Sequence, residues 1–175
     1  TPYRWWLRRS GRNWSICDWE MIDLGQSEAD RWARTHAIGY EGPAGKYWQA
    51  AASVTRAQDE SGAGRHAAAV AQLKDAEKQQ VSAELHDMNA IDIAFAWLDA
   101  GRPDLALAAA DRAASPEFQI GAQQVRVQAL AKLDRPDDLL AALAKYRALA
   151  GCHPDLLRIE AQALEAAGRR KEAAE

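Results

Sequence analysis

A short phrase that recurs along the second half of the chain decides the fold. It is LDAGRPDL at residues 98–105, KLDRPDDL at residues 132–139 and EAAGRRKE at residues 165–172. Glycine and proline beside charged residues are turn signals. Each copy lies between stretches rich in Ala and Leu, which have high helix propensity. The phrase therefore predicts a sharp turn between two helices, made three times.

The turn residues of these copies define a repeat. Gly101, Asp134 and Gly168 are separated by 33 and 34 residues. An earlier copy, SGAGRHA, occupies residues 61–67, and a weaker one, DLGQS, occupies residues 23–27. Because a nearly constant period of this length is typical of repeat proteins, we expect stacked units of two helices each, with atypical units at the ends.

The residues on both sides of Gly101 have helical spacing. Before the turn, one apolar stripe is formed by Met88, Ile91, Phe95 and Leu98. Pro103 suits the first turn of the following helix. The second stripe is formed by Leu105, Ala106, Ala109, Ala110 and Ala113. The same pattern around the other turns predicts about ten helices in five hairpins, the last one cut short.

The first 45 residues follow this pattern less closely. Asn13 is a candidate N-cap of a first helix. The apolar face of that helix is expected at Trp14, Cys17, Met21 and Leu24. Ser27 and Asp30 resemble a capping arrangement for a second helix, which would carry Trp32 and His36. The expected parts are a basic Trp/Arg-rich segment at residues 1–12, an atypical first helical hairpin and loop at residues 13–45, and repeats at residues 46–175.

The repeats resemble the tetratricopeptide repeat family. That family has a small and an aromatic residue in its first helix, glycine at the turn and a small residue five positions later. The matching residues are Trp97, Gly101, Ala106, Ala110 and Ala113 in one unit, and Ala161, Leu164, Gly168 and Ala173 in another. The resemblance covers about residues 46–175. It implies an all-α fold, an α-solenoid in which antiparallel helix hairpins stack into a right-handed superhelix.

The resemblance also implies a binding face. Tetratricopeptide proteins bind an extended peptide along a concave groove that is lined by the first helices of successive units. Carried onto this sequence, the groove positions are Asp92, Phe95, Asp99, Gln124, Gln128, Arg158 and Gln162. Gln124 and Arg158 are 34 residues apart, as are Gln128 and Gln162. Such a polar ladder suits hydrogen bonding to a peptide backbone, and it equally suits plain solvation of a helix face.

Composition and motifs narrow the function. The chain has 175 residues, a formal net charge of −3, 48% apolar residues and a mean hydropathy of −0.44. No apolar run approaches the ~20 residues of a membrane-spanning helix. The motifs of P-loop proteins, serine hydrolases and zinc proteases are absent from the sequence, and Cys17 and Cys152 lack metal-ligand spacing. We therefore predict that the protein is not an enzyme and uses no cofactor or metal.

The N-terminal segment is chemically unusual. Residues 1–14 contain four arginines, three tryptophans and no acidic residue. Tryptophan and arginine together favour glycans and lipid headgroups, so the candidate contacts are Arg4, Trp5, Trp6 and Trp14. The alternative is a cover for the exposed end of the solenoid. Nucleic acid is disfavoured as a partner because the remainder of the chain is net acidic.

Three functional hypotheses follow. The leading one is a non-enzymatic scaffold that binds a protein or peptide through the groove. The second is a periplasmic module of an outer-membrane protein of the exopolysaccharide-export or phage-adsorption type, suggested by the Ala- and Arg-rich composition and by a start at Thr1 that indicates a piece of a longer protein. The third is the superhelical shell of a lytic transglycosylase-like enzyme without its catalytic domain. The periplasm or envelope is thus favoured over the cytoplasm.

Overall fold

The described residues from Pro43 onward are mainly helical. The computed structural model describes residues 3–10, 13–21, 26–27, 33, 43–151 and 154–173. The helices are α1 (Pro43–Gly62), α2 (His66–Glu77), α3 (Ala83–Asp99), α4 (Pro103–Ala110), α5 (Gln119–Lys132), α6 (Pro136–Ala150), α7 (Pro154–Ala166) and α8 (Arg170–Ala173). A turn of 3-10 helix at Pro116–Phe118 precedes α5. The predicted helical class is therefore correct for this part of the chain.

The predicted turns are confirmed at all four positions. Gly64, Gly101, Asp134 and Gly168 have φ angles of 75°, 72°, 53° and 76°. This left-handed conformation ends a helix, and the N–H of the next residue then bonds back to a carbonyl five residues earlier. At the second turn, the Arg102 N–H donates to the carbonyl of Trp97 at 2.9 Å. Aspartate can replace glycine at residue 134 because Asp tolerates this region better than most side chains.

An arginine follows each of these turns and pairs with a nearby acid. Arg102 bonds Asp104 at 2.8 Å, and Arg135 bonds Asp138 at 2.6 Å. The equivalent pairs at the other turns are Arg65 with Glu60 and Arg169 with Glu172. Prolines at the start of α4 and α6, as predicted, fit a helix position that needs no N–H partner. The exposed ion pairs add little stability by themselves. The structural role of the recurring phrase therefore lies mainly in its turn residue and, where present, its proline.

The helices pack in a regular order. The paired helices are α1 with α2, α3 with α4, α5 with α6 and α7 with α8. The first helices α1, α3 and α5 also contact one another in sequence, and α2, α4 and α6 each contact the first helix of the next pair. Trp97, Leu73, Leu85 and Ile93 are completely buried between them. Alanines fill much of the remaining core, which lets the helices approach closely.

Residues 3–27 correct the all-α prediction. The strands β1 (Tyr3–Ser10), β2 (Asn13–Met21) and β3 (Gln26–Ser27) form an antiparallel sheet in that order. The helix predicted to start at Asn13 is therefore wrong. Tryptophan, tyrosine and isoleucine favour strands, and β1 supplies β2 with backbone partners along its length. Trp32 and His36 of the second predicted helix of this segment lie outside the described residues, which include only residue 33 of that helix.

Candidate peptide-binding face

The predicted groove residues lie on the first helices of three hairpins. Asp92, Phe95 and Asp99 are on α3, and Gln124 and Gln128 are on α5, which packs directly against α3. The remaining two, Arg158 and Gln162, are on α7, which packs against α6. We call these seven residues the first-helix face. Its α3 and α5 members lie on neighbouring helices.

Two side-chain hydrogen bonds tie α1 to the α3 part of this face. The Tyr47 hydroxyl donates to Asp92 Oδ2 at 3.2 Å, and Gln58 Nε2 donates to Asp99 Oδ2 at 3.5 Å. Asp92 is half-buried and Asp99 is exposed. Gln58 was not among the groove positions predicted from the sequence, although it precedes Phe95 by 37 residues, which is also the distance from Gly64 to Gly101. The repeat register therefore contained the signal that adds Gln58 to the face.

Phe95 supplies the apolar surface of the face. It is partly buried and packs against two core clusters, one containing Trp97 and the other containing Met88 and Ile91. Met88 and Ile91 are themselves 3% and 5% exposed, so they belong to the core. An aromatic ring held in this way is rigid, and its exposed part can contact an apolar ligand side chain without further loss of entropy.

The α5 part of the face contains an unmade hydrogen bond. Gln124 is half-buried, and its Oε1 is shielded from solvent without a hydrogen-bond partner among the described residues. Gln128, one turn later, is exposed. A further turn along, Lys132 Nζ donates to the Leu98 carbonyl of α3 at 3.1 Å and so covers the end of that helix. A shielded carbonyl oxygen with no donor is costly, so Gln124 is the position of this face most in need of a ligand N–H.

The α7 part of the face is polar and exposed. Arg158 Nη1 donates to Gln162 Oε1 at 3.4 Å, one helical turn away. Arg147 of α6 holds α7 in place through Nη2, which lies 2.5 Å from both carboxylate oxygens of Glu160. Guanidinium and amide groups at this spacing can donate to backbone carbonyls or to a carboxylate.

Asp87 fixes the connection that leads into α5. Its Oδ2 accepts the backbone N–H of Ala114 at 3.1 Å and that of Ser115 at 2.7 Å. Burial raises the pKa of the Asp87 carboxyl, but the hydrogen bonds from Ser115 and His86 outweigh burial, so this pKa lies below its ordinary value. The carboxylate therefore stays ionised at neutral pH and anchors the start of α5, which carries Gln124.

The N-terminal candidates fall on strands. Arg4, Trp5 and Trp6 are in β1 and Trp14 is in β2, where the Cα register pairs Trp5 with Trp19. The side chains of these four candidates lie outside the described residues. Their proposed contact with glycan or membrane stays a prediction, and of the four only Trp14 was expected in a helix.

Neither a metal site nor a membrane-spanning helix is present among the described residues. No group of three or more His, Cys, Asp or Glu side chains in the described part of the chain is arranged to hold a metal ion. Within the same residues, no helix combines the length and apolarity needed to cross a bilayer. Comparison with protein-family models, curated proteins and solved structures finds no match to this chain.

Proposed function

We propose that this protein is a non-enzymatic helical-repeat scaffold, an α-solenoid of the tetratricopeptide type, that binds an extended peptide along its first-helix face. The four matching turns and the ordered contacts of α1, α3 and α5 support the stacking of the hairpins. The observation that carries the binding proposal is the Gln124 carboxamide, whose shielded Oε1 has no partner among the described residues.

An extended peptide has the chemistry that this face needs. One of its backbone N–H groups donates to Gln124 Oε1, and its carbonyls accept from the amides of Gln128 and Gln162. Arg158 adds a charge-assisted bond to a carboxylate on the peptide. Because the helices are already folded, the scaffold loses little conformational freedom, and the ordering cost falls mainly on the peptide.

The test uses a peptide selected on the protein itself. Peptides are selected by display on the full chain, and the best one is titrated calorimetrically against the protein and a variant with Gln124→Ala, Gln128→Ala, Arg158→Ala and Gln162→Ala. We expect at least about a tenfold loss of affinity with a nearly unchanged melting temperature, since three of the four side chains are exposed.

A matched variant controls for general surface effects. Gln72→Ala, Lys74→Ala and Lys145→Ala remove polar side chains from α2 and α6, the second helices of their hairpins. This variant should bind the peptide as the unmodified protein does. Equal binding by the protein and the four-residue face variant would refute the proposed site.

A further inference from the structure

A cavity of about 220 Å³ lies on another part of the molecule. Its wall is formed by the end of α2 with the loop that follows, by the first half of α3, and by Arg112 just after α4. None of the residues of the first-helix face lines it. The cavity is therefore separate from the proposed peptide site and needs its own explanation.

Asn89 on the wall of this cavity has an unused acceptor. The residue is 7% exposed, and its Oδ1 is buried without a hydrogen-bond partner among the described residues. Folded proteins pair nearly all buried polar atoms, because an unpaired one loses its hydration and gains nothing in return. An unpaired carbonyl oxygen on a residue that lines an open cavity points to a ligand with an N–H donor.

A pair of opposite charges stands in the same cavity. Glu77 Oε1 accepts the indole N–H of Trp97 at 3.2 Å and Arg112 Nη2 at 3.1 Å. Arg112 is 40% exposed, and a guanidinium has five N–H donors, so the bond to Glu77 leaves most of its donors for a ligand. The cavity thus offers a cation for a carboxylate, and an anion together with an amide oxygen for an ammonium group.

The rest of the wall is mixed, and the space suits a small molecule. Gln79, Gln80 and His86 contribute further polar surface. Val81, Ala90 and Ile93 line the cavity beside these polar groups. A cavity of about 150 Å³ in another protein is large enough to hold benzene. A volume of about 220 Å³ therefore has room for a molecule with two charged groups and a short hydrocarbon chain.

We propose that this cavity binds a free α-amino acid with an aliphatic side chain. The α-carboxylate pairs with Arg112, the α-ammonium group donates to Asn89 Oδ1 and the Glu77 carboxylate, and the side chain contacts Val81 and Ile93. Two acceptors and one cation in a partly apolar space fit a zwitterion better than they fit a simple anion or cation. The proposal does not depend on peptide binding at the first-helix face.

Calorimetric titration of the full chain tests the ligand class. L-leucine, L-valine and L-alanine are titrated up to about 10 mM, alongside two leucine analogues that lack either the amino or the carboxylate group. We expect saturable binding of at least one amino acid and at least about a tenfold weaker affinity for each analogue. Absence of saturation with all three amino acids would overturn the proposal, as would an affinity for either analogue equal to that for L-leucine.

Paired variants test the site. Asn89→Leu keeps the side-chain shape but removes the acceptor, and it should weaken binding about tenfold without lowering the melting temperature, because the oxygen it removes is buried without a partner among the described residues. Gln123→Met is the control, since Gln123 is also 7% exposed with an unpartnered Oε1 but does not line the cavity. Its affinity should equal that of the unmodified protein.

A second pair of variants, at two arginines, tests the site even if the substitutions at the buried residues Asn89 and Gln123 destabilise the protein. Arg112→Gln removes the exposed cation of the cavity. Arg126→Gln removes an arginine that does not line the cavity and that pairs with Asp111 at a distance of 2.7 Å. Only Arg112→Gln should weaken binding, by at least about tenfold. Equal effects of the two arginine variants, or no effect of Asn89→Leu and Arg112→Gln, would refute the assignment.

Discussion

The helices of residues 43–173 and the sheet of residues 3–27 are held together by different kinds of contact. Each hairpin turn closes through a bond between residues five apart, such as Arg102 to Trp97. The sheet instead pairs two adjacent strands along their length, from Ser10 with Asn13 to Tyr3 with Met21. The helical part is therefore stabilised by local turns and by packing between helices distant in sequence, as in the bond from Tyr47 to Asp92, whereas the sheet depends on backbone pairing between neighbouring strands. The effect of a substitution or deletion on stability should therefore depend on which of these contacts it removes.

Trp97→Ala should have the largest effect on the helical part. Trp97 is completely buried and its indole N–H bonds Glu77, so truncation leaves a cavity and removes one of the two hydrogen bonds to Glu77 Oε1, at a cost of ~3–5 kcal/mol. Urea unfolding measures the free energy of unfolding. Trp97→Phe, which keeps most of the volume, should cost less. A loss below ~1 kcal/mol for Trp97→Ala would mean that Trp97 is exposed in solution.

Substitutions at two turns should change stability in opposite directions. Gly101 has a φ of 72°, and an added Cβ would meet nothing within 4 Å, so backbone strain alone should destabilise Gly101→Val by ~1–3 kcal/mol. Asp134→Gly relieves the same strain at a φ of 53° and should be neutral or stabilising by up to ~1 kcal/mol. Thermal and urea unfolding give both values. An unchanged midpoint for Gly101→Val would show that the chain turns elsewhere.

Asp87→Asn should destabilise the protein in a pH-dependent way. The substitution weakens the bonds to the Ala114 and Ser115 N–H groups and should cost ~1–3 kcal/mol at pH 7. The folded-state pKa of Asp87 is lowered, so its contribution is complete above the unfolded-state pKa of about 3.9 and is lost as pH falls through the lower folded-state value.

The free energy of unfolding is measured for the protein and for Asp87→Asn between pH 7 and pH 3. The two values should become more similar as the pH falls. Asp75→Asn is the control, because Asp75 is an exposed partner of Lys78 at 2.7 Å and should matter little at any pH. A difference for Asp87→Asn that grows on acidification would contradict the assigned direction of the pKa shift.

Removal of residues 1–27 should have the smallest effect on the helices. None of the buried clusters found among the described residues includes a residue before Tyr47. Helical repeats are also stabilised mainly by their immediate neighbours. The helical unfolding midpoint, followed by circular dichroism, should stay nearly unchanged. A large drop would mean that the sheet is part of the helical core, and loss of binding to glycan or vesicles would support the N-terminal contact hypothesis.

The sequence was sufficient for the helical part because its signals are local. Gly101 and Asp134 mark the turns, Pro103 and Pro136 mark helix starts, and each acts within one or two residues of its position. The strands could not be found in this way, because the spacing of Trp14, Cys17 and Met21 fits a helix face while their pairing with β1 is a property of two segments. The bond from Tyr47 to Asp92 and the unpartnered Oδ1 of Asn89 could not be predicted from the sequence either, because both depend on residues that only the fold brings together.

The most direct test of the central claim is a cross-linking measurement on the bound peptide. A photo-reactive amino acid is placed at residue 128 of the first-helix face, and in a second protein at residue 74 on α2, before the selected peptide is added and irradiated. We predict that residue 128 forms a covalent adduct with the peptide, detectable by mass spectrometry and abolished by excess unlabelled peptide, while residue 74 does not. An adduct at residue 74 with none at residue 128 would contradict peptide binding along the first-helix face.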